Sequence, residues 1–437
     1  TQRDNLHSTP TDCPQRDERA GWMGDAQIFA TTAIYNMDMA AFFTKWIKDI
    51  RDGQNMQGRF PDFAPQPGIM ANFYNSPGWS DAGVIVPWRM YEYYGDTTVL
   101  SLHYDAMKQY IQSIVAENPD LLWKTARGNI YGDWLNGNTI IADDYPKEGG
   151  KVPDDVYATA YFANSARLVA EISRLLNRKK DRIYYEALSQ KIKEAFIKNY
   201  VADDGTVLGN TQAGYAIALD FDLVPQHLRQ KAALKMVEAV KAYDYRISTG
   251  IQTTIRLMNQ LSAFGYHDIA YRLVESRRFP SWLYSIDQGA TTIWERWDGY
   301  VKGRGFQDVG MNSFNHYAIG SVGEWLYRSI LGINGEKAGF KSFIIHPVIG
   351  GSLSYARGSY HSVAGIISVS WRKENGSLSM EVEIPVNTTA TVVMPAGNGI
   401  TESGIDIKNA GGVKLLSTTG KETSVLLPSG KYSFIIL

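Results

Sequence analysis

At 437 residues the chain exceeds what one ordinary hydrophobic core holds, so a large domain with at least one smaller partner is expected. Forty-four Lys and Arg stand against 45 Asp and Glu, a formal charge of -1, which leaves no net field to hold a nucleic acid or an anionic membrane surface. No apolar run approaches the roughly 20 residues that span a bilayer, and the single cysteine, Cys13, excludes an internal disulfide and a cysteine-rich metal centre while leaving cytosol and periplasm equally compatible.

The chain opens Thr1-Gln2-Arg3-Asp4, neither a signal peptide nor a starting methionine, and reads as processed or excerpted. Residues 12 to 27 then place four acids (Asp12, Asp17, Glu18, Asp25), two arginines (Arg16, Arg19) and Trp22 in one short run. Core building does not ask for this. Acid-catalysed glycoside cleavage does, because it needs one carboxyl kept protonated, and such neighbours can drive the pKa values of a cluster apart. A surface loop of Asp and Arg pairs, or a cap on a helix starting near Asp25, is an equally good reading of composition alone.

Farther along, apolar residues recur at helical spacing, as in Ala163, Ala166, Val169, Ala170 and Ser173, in Leu188, Ile192, Ala195, Phe196 and Tyr200, and in Leu228, Ala232, Met236, Val237 and Val240. Loops rich in Gly, Pro, Asn and Asp join these helices, and with no fixed-period repeat the pattern predicts a closed ring of helical hairpins. Several loops pair an aromatic face with a hydrogen-bonding group: Trp79 with Asp81, Asp133 with Trp134, Asp143 and Asp144 with Tyr145, Ser281 with Trp282, and His316 with Tyr317. Saccharide pockets need that pairing, although ordinary packing accounts for any one instance. The chain's 11 Trp, 26 Tyr and 16 Phe supply ample stacking surface.

A second concentration lies at residues 287 to 299, where Glu295 sits between Trp294 and Trp297 and beside Arg296. Hydrolysis by inversion needs a carboxylate across the sugar from the acid, roughly 6.5–9.5 Å away so that a water fits between. Glu295 suits that role, and an ion pair with Arg296 or Arg304 is the plainer alternative. No spacing of His, Cys and Asp matches a zinc site, and neither a metal nor a cofactor is expected. After about Ile333 helical spacing gives way to alternation, at Gly365–Trp371, Leu378–Ile384, Ala390–Met394 and Tyr432–Ile436, with turns at Asn375-Gly376 and Pro395–Gly399. A small antiparallel β-sandwich is expected there.

The run Asp12-Cys-Pro-Gln-Arg-Asp-Glu-Arg-Ala-Gly-Trp-Met-Gly-Asp-Ala-Gln27 and the later Gly289-Ala-Thr-Thr-Ile-Trp-Glu295 together resemble the α-L-rhamnosidases of glycoside hydrolase family 78. The similarity extends through Pro77-Gly-Trp-Ser-Asp-Ala82, Gly132-Asp-Trp-Leu135, Pro280-Ser-Trp282 and Phe314-Asn-His-Tyr317. The resemblance implies an (α/α)6 toroid over residues 1–335, a C-terminal β-sandwich over 336–437, and removal of terminal α-L-rhamnose from glycosides or polysaccharides with inversion. It assigns Glu18 as general acid and Glu295 as general base. Asp12, Arg16, Trp22, Asp25, Asp133, Trp134, Trp294, Trp297 and His316 follow as sugar-binding residues. Two departures stand out. The family carries β-domains before the toroid, whereas the diagnostic run in this chain begins at Asp12, so upstream residues are expected to be missing. The stretch Ser248-Thr-Gly-Ile-Gln-Thr-Thr254 also lacks the family's usual apolar continuation. Another (α/α)6 glycosidase or phosphorylase, or a silent sugar-binding homologue, remains as the alternative; no oligomeric state follows from the sequence.

Overall fold

The computed structural model describes residues 1–68 and 72–437. By Cα packing the chain forms two compact units. The first comprises Thr1–Thr31, Ala41–Trp88 and Thr97–Val322; the second comprises Thr32–Ala40, Arg89–Asp96 and Gly323–Leu437.

Helices follow one another in pairs joined by short connections: α1 (Met23–Asn36) and α2 (Ala40–Asp52), α3 (Ala82–Tyr94) and α4 (Thr97–Glu117), α5 (Asp154–Leu175) and α6 (Lys179–Tyr200), α7 (Gln212–Asp220) and α8 (Arg229–Ala242), α9 (Thr254–Ala263) and α10 (His267–Val274). Burial separates an inner set from an outer one. Helix α6 buries one stripe, Tyr185, Leu188, Ile192, Phe196 and Tyr200, four of them at the positions the spacing marks, while Ala195 is only half-buried. Helix α5 is different. It buries residues around most of its circumference, from Val156 through Ser173, because it packs on α6 at one side and on α4 and α7 at others. The amphipathic stripe expected at Ala163–Ser173 is therefore only part of its buried surface. Helix α7 buries all but the last of its nine residues and packs against α9, so α5, α7 and α9 form successive inner members, and the loops leading into α5 and α9 carry Asp133, Trp134 and Gln252. With these five pairs and the further helical turns Trp282–Asp287 and Ala318–Ser321, the unit has the six-hairpin (α/α)6 architecture.

In the second unit two sheets form a sandwich. Its strands are β3 (Ile333–Gly335), β4 (Ser342–Ile345), β5 (Tyr355–Ser362), β6 (Gly365–Glu374), β7 (Ser377–Ile384), β8 (Thr389–Pro395), β9 (Ile400–Glu402), β10 (Ile405–Asp406), β11 (Lys414–Thr418), β12 (Glu422–Leu427) and β13 (Gly430–Ile436), counted after a small earlier hairpin, β1 (Tyr300–Val301) and β2 (Gly305–Phe306). One sheet runs β10-β9-β13-β7-β6-β5, the other β11-β12-β8-β4-β3. Alternation is strict on β7, where Leu378, Met380, Val382 and Ile384 are buried and the intervening residues are not. Pairing is antiparallel except between β4 and β8, which run parallel with Phe343 opposite Ala390.

Candidate active site

The site lies within the first unit and grows from a loop folded back on itself. Asp12 N–H donates to Ala20 O, and Arg19, at φ 41°, makes the left-handed turn that reverses the chain. Gly21 then passes so close to Ala64 that a Cβ would collide with its carbonyl oxygen. Helix α1 starts immediately after, and at Gly24 a Cβ would strike the Trp79 indole, so only glycine lets the Asp25-bearing turn approach that wall. The reversal turns Asp12, Arg16 and Glu18 toward one another.

Arg16 is the hub. Its Nη1 donates to Glu295 Oε2 at 3.0 Å and its Nη2 to Glu295 Oε1 at 3.2 Å, a two-pronged pair. Nη2 also lies 3.4 Å from Asp12 Oδ2 and 3.5 Å from Glu18 Oε2. Glu18 and Glu295, separated by most of the helical ring in sequence, thus share one guanidinium. Their facing oxygens are at most about 7 Å apart, a bound that spans both the spacing suited to an intervening water and the shorter one suited to direct displacement. The alternative, an ion pair of Glu295 with Arg296 or Arg304, does not form: Arg296 binds Asp298, and Arg304 donates to Ile141 O.

Glu295 is buried and rigidly held. Ser313 N–H donates to its Oε2 at 2.8 Å, and backbone bonds between Glu295 and Ser313 and between His316 and Ile293 run the two segments side by side. Glu18 is more open and accepts from Trp22 Nε1 at 2.5 Å. His316, on the second segment, places Nε2 3.2 Å from Asp25 Oδ1 and 4.0 Å from Asp12 Oδ2. Burial alone would depress the imidazole, but the hydrogen bond and charge of Asp25, with Glu295 and Asp12 behind it, hold it up at about 9. The Ala318 N–H lies 3.4 Å from Nδ1 and favours the neutral ring. Contact that long is weak beside a carboxylate at 3.2 Å, so the ring is cationic at neutral pH. Asp12 is raised too, but by burial: with His316 opposing and the charges of Asp25 and Glu18 reinforcing, it reaches about 7.

Trp22 forms one face of an aromatic cradle, edge-on to Phe63, Phe73 and Tyr131, and Tyr131 in turn meets Trp79 and Trp134. Behind it, Asp133 is buried and accepts from Gly250 N (2.7 Å), Gln252 N (3.0 Å), Thr253 N (3.0 Å) and Thr253 Oγ1 (2.5 Å). Those four bonds tie it to the turn that begins α9. Trp297, also buried, donates to Thr249 O at 3.1 Å and meets Trp282 edge-on; Trp294 is buried against Phe314. Of the lesser pairs, Asp81 is sequestered by Ser165 and Gly78, and Asp144 is a partner of Arg246.

Two participants were not among the site residues expected from the sequence. Cys13 donates to Asp12 Oδ2 at 2.9 Å and receives Arg16 Nε at 3.1 Å, joining the two. Gln252 donates to Gly24 O and accepts from Gln27 and Tyr161, linking the start of α1 to the turn that Asp133 holds. It falls in the stretch Ser248–Thr254 that departs from the family pattern. Asp12, Cys13 and Glu18 bring ligand atoms within 4.8 Å of one another, but the Arg16 guanidinium already contacts all three, and a cation is thereby supplied by the chain itself.

Residues 1–330 match the family described as bacterial alpha-L-rhamnosidase 6 hairpin glycosidase domain, and residues 332–405 match the bacterial alpha-L-rhamnosidase C-terminal domain. The chain belongs to this family. It is similar to an alpha-L-rhamnosidase of Streptomyces avermitilis, 45% identical over 395 residues, which cover 90% of this chain and 37% of that protein. An alpha-L-rhamnosidase of Formosa agariphila is 36% identical over 441 residues, covering 99% of this chain and 46% of that one. The chain therefore spans less than half the length of these relatives. The crystal structure of the Streptomyces avermitilis alpha-L-rhamnosidase complexed with L-rhamnose superimposes with a TM-score of 0.91 at 40% identity, over all of this chain and 40% of that one.

Proposed function

We propose that the chain hydrolyses terminal α-L-rhamnose from rhamnosylated glycosides or polysaccharides, with residues 1–335 as the catalytic domain and 336–437 as its C-terminal companion. Glu18 acts as general acid and Glu295 as general base, with inversion at C1. The observation that carries this reading is the single guanidinium of Arg16 joining one exposed and one buried glutamate over an acidic floor. Family membership supplies rhamnose.

In this mechanism Glu18 gives its proton to the glycosidic oxygen as the C1–O bond breaks. A water loses its proton to Glu295, whose Oε1 keeps a free lone pair beside its one Arg16 bond, and attacks C1 from the opposite face. Asp12 and Asp25 surround the positive charge that develops on the sugar. Trp22 and Trp134 stack on its apolar face, and His316 donates to a hydroxyl. Asp133 and Trp297 act from behind, through the turn at residues 249 to 254.

Release of 4-nitrophenol from its α-L-rhamnopyranoside tests this against a panel of other sugars, in the parent and in Glu18→Gln and Glu295→Gln. Cleavage confined to the rhamnoside and lost in Glu295→Gln is expected. Glu18→Gln should lose less on this substrate than on a rhamnosyl-sugar, since 4-nitrophenolate leaves without much help from an acid. Equal losses of binding and turnover, or rhamnose binding without cleavage, would turn the reading toward a silent sugar-binding protein.

A further inference from the structure

Beneath the acidic cluster a single amide holds one helix against the start of another. Gln252, fully buried in the turn before α9, donates from Nε2 to Gly24 O at 2.9 Å and accepts at Oε1 from Gln27 Nε2 at 2.6 Å. The two contacts lie three residues apart on α1 with Asp25 between them, so they fix both the height and the rotation of its first turn. Gly24 O belongs to the peptide group that leads into Asp25 itself. Gln252 is also secured at its backbone, where its N–H donates to Asp133 Oδ1 at 3.0 Å. Tyr161, from α5, steadies the amide with a hydroxyl 2.9 Å from Oε1, and that hydroxyl is held in turn by Arg256 Nη2 at 3.3 Å.

Asp25 is what this arrangement places. Its Oδ1 meets His316 Nε2 at 3.2 Å, and His316 is anchored separately, by the bond from its N–H to Ile293 O that ties its segment to that of Glu295. The pair thus joins two independently held parts of the ring, and its separation depends on where the first turn of α1 stands. Trp79 bounds that turn on one side, since a Cβ at Gly24 would strike its indole, and Gln252 grips its carbonyl. Satisfying the buried groups of α1 does not by itself require Gln252. Without it Gln27 Nε2 keeps Gly78 O at 3.3 Å and the Tyr161 hydroxyl at 3.2 Å, and a helix carbonyl such as Gly24 O has its own partner four residues on.

We infer that Gln252 is a positioning residue for sugar binding: it sets Asp25 against His316, so that the Asp133 turn and the Asp25–His316 pair act as one unit. This role rests on the rhamnosidase reading, in which His316 donates to a sugar hydroxyl and Asp25 lies beside the ring. None of the contacts of the Gln252 side chain reaches Arg16, Glu18 or Glu295, which hold one another. Its loss is therefore felt in binding more than in bond breaking. An apolar side chain of the same length fills the space but leaves the first turn of α1 free to drift, and a hydrogen bond weakens steeply as its partners part.

The test measures KM and kcat on 4-nitrophenyl α-L-rhamnopyranoside, with Tm as the gauge of folding, for Gln252→Met, which keeps the length and loses the amide, and for the gentler Tyr161→Phe. Each is made in the parent and in a His316→Gln background. Gln252→Met should raise KM about five- to tenfold in the parent with kcat within about twofold, and Tyr161→Phe should raise KM about two- to threefold. Both effects should fall to within about 1.5-fold in His316→Gln, because the pair they act through is already gone. Leu188→Ala, a core truncation on α6, should lower Tm and leave KM alone. Equal rises in KM in the two backgrounds overturn the role, as does an unmoved KM in Gln252→Met, or a KM in Leu188→Ala that rises as far. If Gln252→Met does not fold, Tyr161→Phe decides by the same comparison. If the parent cleaves no rhamnoside, the rhamnosidase reading fails and takes this role with it, whereas cleavage with an unmoved KM removes the role of Gln252 alone.

Discussion

Replacing Asp133 with asparagine probes the turn behind the pocket. Burial lifts the Asp133 carboxyl to about 6, even against hydrogen bonds from Thr253, Gly250 and Gln252 that pull it down, so it is ionised at neutral pH. Its Oδ2 serves Gly250 N–H and the Thr253 hydroxyl, and its Oδ1 serves the Gln252 and Thr253 N–H groups. Asparagine has the same shape but one acceptor oxygen, so its NH2 must face at least one buried backbone N–H. An orphaned donor costs about 1–3 kcal/mol, and the surviving bonds lose their charge assistance, roughly another 1 kcal/mol. Stability should drop by about 2–4 kcal/mol, read as a Tm several degrees lower and a matching shift of the urea midpoint. Because Trp297 donates to Thr249 O in the same turn, kcat/KM on 4-nitrophenyl rhamnoside should fall too. A Tm within about one degree of the parent, with unaltered kcat/KM, would refute the claim that Asp133 secures this turn.

Arg16→Lys keeps a charge but not the fork that grips both Glu295 oxygens, and kcat should fall at least about tenfold in steady-state assays, with a smaller change in KM. His316, held up at about 9 from an ordinary 6.5, stabilises the fold fully below pH 6.5 and loses that contribution as pH rises through 9. Asp12, raised from 3.8 to about 7, acts in the same direction at lower pH, since the native state keeps a proton that the unfolded chain has released. Urea midpoints should therefore decline from about pH 5 to 9, with His316→Gln flattening the upper part; a midpoint rising over that range would contradict both assignments. Gly24→Ala drives a methyl into the Trp79 indole and should cost about 1–3 kcal/mol in urea unfolding while impairing sugar binding through displacement of Asp25.

Local pattern carried much of the architecture. The stripe on α6, Ala195 apart, and the alternation on β7 are buried as their spacing predicts, because in each case one face meets a neighbour and the other meets water. Helix α5 was less legible: an inner helix is covered on several sides, and the positions between its apolar residues carry no mark of that. The parallel β4–β8 pair joins strands remote in sequence and is likewise invisible to strand periodicity. In the site, the unusual density of acids, arginine and tryptophan around Glu18 marked the run, and the tryptophans marked Glu295. What the residues alone could not give was the geometry between them. Arg16 meets Glu295 across 279 residues and Asp133 meets Gly250 across 117, and only the closed ring brings those partners into contact. Cys13 and Gln252 went unremarked as site residues for the same reason, since a lone thiol and a lone amide gain meaning only from what surrounds them.

If Glu18 and Glu295 act as an acid and base on opposite faces of one sugar, the anomer first released reports it most directly. Proton NMR should be recorded during the opening minutes of cleavage of an α-L-rhamnoside, before the sugar equilibrates. The expected initial product is β-L-rhamnose, with the signal absent in Glu295→Gln. Initial appearance of α-L-rhamnose would mean displacement through a covalent intermediate, and would contradict the role of Glu295 as the base that activates water.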